Sequence, residues 1–283
     1  MLTRAARVGA IHWFARCFYA RGDLGLPAHV DCLGHRYVRK SVLKHDFVAA
    51  TGLYQAVAAS PELPRRLVCK INRQMHFLLI PLGLLGRLIT HNEVCNLRHC
   101  REIRGVPKVV ARLGPRTYAY EYIEGRSLSE KPTLPAGFFD DVLAVVRGIH
   151  AANLVHLDLH KPGNILVGDD GRAYIIDFQL STHIGDRFLL SKRLSSRLRR
   201  RLQAYDIYHI YKHKRRLQPH LLTQAEERLS YDHSLPLRVH RAIARPYKCI
   251  RRACLRYLHA RGILGGKETV SSCAETDPAR WTK

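Results

Sequence analysis

Acidic residues are scarce in this chain. Over 283 residues, 23 Asp and Glu stand against 47 Lys and Arg, a formal net charge of +24. Such a field attracts anions in general: nucleic acid, anionic lipid headgroups or phosphorylated glycans. Cysteine pairs of the C-x-x-C kind are missing too. The eight cysteines lie at positions 17, 32, 69, 95, 100, 249, 254 and 273, which removes support for a zinc ribbon or a thioredoxin-like motif. A chain of this length with 46% hydrophobic residues buries a core without a disulfide framework, so the cysteines read as reduced, cytosolic thiols. No run approaches the ~20 apolar residues of a spanning helix. The longest, Phe77 to Gly86, is interrupted by Pro81, Gly83 and Gly86. Neither a cleavable signal peptide, a fixed-period repeat nor a low-complexity linker is evident, so one unexported domain is expected.

What is present is organised front to back. Residues 1–36 read as a basic N-terminal extension, with Arg4, Arg7, Arg16 and Arg21 and no acid before Asp23. Three readings of it stand: an amphipathic helix lying on a membrane surface, a helix packed on its own domain, or a mitochondrial presequence. Short strands are expected at 37–42, 47–53, 67–71, 108–113 and 117–123, with a helix near 92–101. Val142, Val145, Val146 and Ile149 recur at helical spacing within 136–152. Two further strands, 165–167 and 173–176, flank the Gly168-Asp-Asp-Gly171 hairpin turn. A small sheet followed by helices is an α+β order.

Behind residue 180 the chain is helical in pattern and very basic. Residues 181–283 carry 23 Lys and Arg against 8 acids, so they supply +15 of the +24. Arg197–Arg201 and Asp206–Arg216 read either as solvated faces or as a platform for anionic lipid, each cation near the surface being worth about 1 kcal/mol. No nucleic-acid fold surrounds them, so nucleic acid is not the expected partner. A disordered tail is expected over 266–283.

The chemistry concentrates in Ile149-His-Ala-Ala-Asn-Leu-Val-His-Leu-Asp-Leu-His-Lys-Pro-Gly-Asn-Ile-Leu-Val167 and Tyr174-Ile-Ile-Asp-Phe-Gln179. Together they hold an Asp in a tight loop, an Asn six residues on, two apolar strands joined by a turn, and a second Asp. Phosphoryl transfer uses this inventory: one carboxylate orients or accepts a hydroxyl proton, while an Asn and another carboxylate hold a metal on the phosphates. Hard oxygen ligands of this kind suit Mg²⁺.

His156-x-Asp158…Asn164 and Asp177-Phe178 resemble the catalytic loop and metal motif of the protein-kinase-like superfamily. Leu67-Val-Cys-Lys70 is similar to the strand whose lysine pairs with the α/β-phosphates, and Glu93 to the helix-borne partner of that lysine. Ala119-Tyr-Glu-Tyr-Ile-Glu-Gly125 resembles the hinge, whose backbone at Glu121 and Ile123 would hydrogen-bond adenine. Taken singly, Asp177 reads as a turn residue, Lys70 as a surface lysine, Glu93 as a helix-face charge and His156 as a loop-holding histidine. Five motifs in the family's chain order override those separate readings.

The resemblance implies a two-lobed kinase-like domain over 37–265, with an antiparallel-sheet front lobe to about 124 and a reduced helical rear lobe from 125. It implies ATP and Mg²⁺ as cofactors, Asp158 as catalytic base, Lys70 and Glu93 on the phosphates, and Asn164 and Asp177 on the metal. His160 and Lys161 would supply cations to the transferred group. The sequence also departs from ordinary protein kinases. It has no G-x-G-x-x-G before Lys70, leaving Gly52 to cover the phosphates; Gln179 replaces a glycine; no A-P-E follows; and the loop from Asp158 to Asn164 is one residue longer. These departures, with the apolar insertion Phe77–Gly86, resemble the bacterial lipopolysaccharide-core kinase and RIO-like branch. That branch implies an anionic glycolipid acceptor and a cytoplasmic location at the inner membrane face. Two alternatives stay open: a Ser/Thr protein or small-molecule kinase of the same fold, and an inactive pseudokinase scaffold on anionic membrane or RNA.

Overall fold

Alternation builds the front lobe. In the strand Arg66–Asn72, Leu67, Cys69 and Ile71 enter one apolar cluster, whereas Val68, Lys70 and Asn72 point the other way, as the two-residue period of a strand requires. The computed structural model describes residues 19–22, 24–74, 82–186 and 191–231. Its front lobe is an antiparallel sheet of six strands: β1 His29–Cys32, β2 His35–His45, β3 Ala49–Ala56, β4 Arg66–Asn72, β5 Val109–Gly114 and β6 Thr117–Glu121, in the order β1-β2-β3-β4-β6-β5. Its outer face is covered by the strap at residues 24–28, where Leu26 joins the apolar cluster and the Tyr54 hydroxyl donates to Pro27 O at 2.8 Å. The sheet therefore begins at His29, inside the stretch expected to be a separate extension. Residues 1–18 and the tail 266–283 lie outside the described residues.

Helix α1, Gly83–His99, crosses the inner face of the sheet. It starts well before the expected residue 92, and part of the apolar segment read as an insertion, Gly83–Gly86, is its first turn; residues 77–81 are outside the described set. The helix can sit there because Gly86 has no side chain. A Cβ at that position would lie 2.2 Å from Arg73 O, closer than carbon and oxygen tolerate. Gly83, Gly86, Thr90, Glu93, Val94 and Leu97 share the buried face, the three- and four-residue spacing of one helix side. Glu93 thus follows Gly86 by two turns, on the same side.

The rear lobe packs around α2, Phe138–Ala151, whose Val142, Val145, Val146 and Ile149 are all buried. Around it lie β7 Gly125–Ser127, β8 Leu154–Val155, β9 Ile165–Gly168, β10 Ala173–Ile175 and β11 Thr182–His183, then α3 Lys192–Leu217 and α4 Gln224–Tyr231. β9 and β10 form the expected hairpin, with Gly171 at φ +76°. Sheet front and helical rear make this the kinase-like two-lobed α+β fold. Cys32, Cys69, Cys95 and Cys100 carry free thiols. Among the described residues, no helix is long and apolar enough to cross a membrane.

The basic run Asp206–Arg216 is not the solvated face it resembles in sequence. Asp206, Tyr208, His209, Ile210, Tyr211, His213 and Lys214 are buried in α3. Lys214 donates to both oxygens of Glu226, at 2.8 and 3.0 Å, from α3 to α4. Of its exposed cations, Lys192, Arg193, Arg197, Arg200 and Arg201 lie in the first half of the helix and Arg216 at its end.

Candidate active site

Three distant elements meet at one ammonium group. Lys70 Nζ, from the middle of β4, donates to Glu93 Oε1 of α1 at 2.7 Å and to Asp177 Oδ1 at 2.8 Å, across sequence separations of 23 and 107 residues. Lys70 and Glu93 are almost wholly buried. Burial works against the charge on Lys70, yet Asp177 and then Glu93 hold its pKa above the usual lysine range. Burial likewise opposes ionisation of Asp177, but Lys70 and then Lys44 keep its carboxyl well below the usual carboxylate range. Asp177 is therefore an anion at neutral pH, beside a cation that burial alone would discharge.

Backbone geometry aims Asp177. It sits at φ 64°, ψ 67° at the end of the β10 segment, just before the helical turn Phe178–Leu180. This is the left-handed region that short polar Asp enters more readily than most residues. Gln179 lies within that turn, where no glycine conformation is called for. Asn92 and Asn96 of α1 both donate to Ser181 O at 2.9 Å, so the helix bearing Glu93 is tied to the loop bearing Asp177.

The loop from His156 to Asn164 supplies a second cluster. Asp158 is buried, and its Oδ2 accepts Lys161 Nζ at 2.7 Å and Asn164 Nδ2 at 2.9 Å. Asn164 Nδ2 also donates to Asp158 O at 3.1 Å, which closes the longer loop on itself. His160 Nδ1 stands 3.2 Å from Asp158 Oδ1. His156 is buried, in contact with Ile176 O through Nε2 at 3.2 Å and edge-on to Phe178, and burial lowers its pKa. It joins the loop to the Asp177 segment as a neutral ring.

One residue that holds this loop was not singled out in the sequence, where it headed a basic run. Asp206 of α3 is fully buried; its carboxylate accepts the N–H of His156 at 2.8 Å and of Leu157 at 2.9 Å, and contacts His150 Nε2 at 3.1 Å. Leu157 has φ 64°, a conformation that costs a non-glycine residue about 1–2 kcal/mol and that these two hydrogen bonds stabilise. An acid flanked by Tyr205 and Ile207 carried a faint signal of burial, but nothing pointed to its partners.

Not all expected residues join these clusters. Gly52 lies in mid-strand, paired with Cys69, and a Cβ there would meet Leu26 Cδ1 at 2.8 Å; it is a packing glycine beneath the strap. Glu121 N–H donates to Lys108 O at 3.0 Å within the sheet. Ile123 follows β6 in an irregular stretch, and among the described residues its N–H donates to no carbonyl, so it is free for a ligand. A cavity of about 240 Å³ between Ile103, Asp141, Val145 and Tyr174 contains none of these groups.

The donor set fits Mg²⁺ held jointly with phosphates. No group of three His, Cys, Asp or Glu able to hold a metal occurs among the described residues. Mg²⁺ commonly takes one or two protein oxygens and completes its octahedron with phosphate and water. Asp177 offers a carboxylate, and the amide of Asn164, with Nδ2 spent on Asp158, has Oδ1 left over for a cation.

No protein-family model matches the chain. Over 135 residues, 47% of its length, it is 30% identical to Sperm motility kinase 1 of Mus musculus, of which the match covers 25%. The chain thus spans about a quarter of this curated relative, and the likeness is to a kinase.

Proposed function

We propose that the chain transfers the γ-phosphate of ATP to a hydroxyl group, the acceptor being an anionic lipopolysaccharide-core-type sugar at the cytoplasmic membrane face. The observation that carries the phosphotransferase reading is Lys70 held between Glu93 and Asp177. When bound, ATP supplies the phosphoryl group and Mg²⁺ offsets its charge. Lys70 would bind the phosphates, kept cationic by its two carboxylates, while Asp177 and Asn164 would hold the metal and Ile123 N–H the base. Asp158 would orient the acceptor hydroxyl and take its proton at Oδ1 or Oδ2, with Lys161 and His160 beside the developing charge.

Two features support an anionic acceptor. The exposed arginines 193, 197, 200 and 201 lie on one side of α3, and Arg199 of the same helix donates to Ile184 O at 2.7 Å, just beyond β11. β11 pairs with β8, which leads into the Asp158 loop. A second reading, a nucleotide-free scaffold, is favoured by the lack of a glycine-rich turn before Lys70.

ATP turnover with extracted lipid A–core, a protein substrate and small alcohols separates the acceptors. Phosphate appearing on the glycolipid supports the proposal; transfer only to protein or small alcohols replaces it with a kinase of another substrate. Thermal shift by ATP, with and without Mg²⁺, tests the scaffold reading: no shift in either condition removes the phosphotransferase altogether.

A further inference from the structure

A second lysine faces the phosphate side of the sheet, put there by a bulge. Along β2 and β3, Val42 pairs with Gly52 but Lys44 pairs with Thr51, a register shift of one residue. Leu43 is the extra residue and is exposed. Thr51 pairs in turn with Lys70, and Lys70 with Tyr118. Residues directly opposite on neighbouring strands project from the same face, so Lys44, Thr51 and Lys70 form one row on the inner face. Without the bulge, Lys44 would oppose Ala50 and point into the outer apolar cluster. Bulges re-aim side chains in this way beside functional sites.

The turn that carries this lysine is built to stay put. Asp46 Oδ1 accepts Val48 N–H at 2.8 Å and Ala49 N–H at 2.9 Å, and its Oδ2 pairs with Lys44 Nζ at 2.9 Å. Ala20 N–H donates to Asp46 O at 2.7 Å, and Arg73 N–H to Val48 O at 2.8 Å. Arg73 also donates to Phe47 O at 2.7 Å and lies 3.9 Å over the Phe47 ring. The turn His45-Asp46-Phe47-Val48 contains no glycine. Lys44 is half-exposed, and its charge reaches Asp177, where it follows Lys70 among the cations acting on that carboxylate.

We propose that Lys44 is a phosphate-binding residue: its ammonium, held over the site by the rigid β2–β3 turn, replaces the backbone donors of the absent glycine-rich turn and grips the terminal phosphates of the nucleotide opposite Lys70. The inference rests on the nucleotide-binding reading above. Lys70 is already committed to Glu93 and Asp177, whereas Lys44 has one partly exposed carboxylate partner and can turn to a ligand.

The test is calorimetric titration of ATP and of adenosine, each with Mg²⁺, into the full chain and its Lys44→Ala and Lys44→Arg variants. Lys44→Ala is expected to weaken ATP by about tenfold or more, the size of one charge-assisted hydrogen bond, while adenosine affinity stays within about twofold and Lys44→Arg recovers most of the loss. An unchanged melting temperature of the ligand-free variant shows that the fold is intact; if Lys44→Ala unfolds, the Lys44→Arg and Lys44→Gln pair gives the same comparison. Equal ATP affinity in wild type and the uncharged variant overturns the role of Lys44 alone. An equal loss for adenosine overturns it as well. A wild-type chain that takes up neither ligand overturns the nucleotide reading and this inference together.

Discussion

Asp206 accepts the backbone N–H of Leu157 at 2.9 Å, across 49 residues of chain. The same carboxylate takes the N–H of His156, so one buried acid in α3 terminates the loop that presents Asp158. Replacing Asp206 with alanine leaves two buried amides without acceptors, each costing about 1–3 kcal/mol. Urea unfolding of Asp206→Ala should show a loss of about 2–6 kcal/mol, with Asp206→Asn, which keeps one acceptor oxygen, falling between. A wild-type midpoint for Asp206→Ala would mean that the loop is held by other contacts.

Asp158 carries the proposed proton transfer, and its removal should separate chemistry from binding. Asp158→Asn preserves shape and is expected to lower the transfer rate by about 10²–10⁴-fold, the range of general-base catalysis, with ATP affinity little changed. Single-turnover kinetics read the first quantity and calorimetry the second. Full activity in the variant would strike Asp158 from the mechanism.

Gly86 sets how close α1 approaches β4. Any Cβ there meets backbone, not a movable side chain, at 2.2 Å. Gly86→Ala should therefore push the helix outward and destabilise the chain by about 1–3 kcal/mol, the usual cost of overpacking. Glu93 rides on the same helix face, so ATP affinity should fall as well. A denaturant midpoint at or above the wild-type value would contradict the close approach.

Acid should loosen the rear lobe through a buried histidine. His213 is buried with its Nε2 2.9 Å from Leu159 O, and burial depresses its pKa to about 4 from 6.5. The unfolded chain takes up this proton below about 6.5 and the folded chain only near 4, so stability falls as pH drops through that window. The full difference is on the order of 3 kcal/mol. Asp177 shifts below its ordinary value, and its contribution disappears only in stronger acid. Melting temperatures from pH 7 to 4 should decline less steeply in His213→Gln than in wild type; parallel curves would place the titrating group elsewhere.

Much of the site was legible because its signals are local. The strand carrying Lys70, the loop from Asp158 to Asn164 and the segment ending in Asp177 announce themselves by short motifs with apolar flanks. Their order along the chain carried the resemblance. Glu93 was legible as well, although its helix begins earlier than the polar run around it suggested, because the glycines of the first turn read as a break. Gly52 falls inside the strand expected over 47–53, but its neighbour across the fold was not legible: the space left by its missing side chain is taken by Leu26. The basic run after Asp206 read as surface because charge composition says nothing about which face of a long helix is covered.

Composition, strand and helix periodicity, and the spacing of Lys70, Asp158, Asn164 and Asp177 needed only the amino-acid order, since each arises from neighbours along the backbone. The bulge that turns Lys44 inward, the burial of Asp206 and the contact at Gly86 were decided by the folded chain. They depend on how segments far apart in sequence approach, and a side chain's meaning there is set by what lies across the gap.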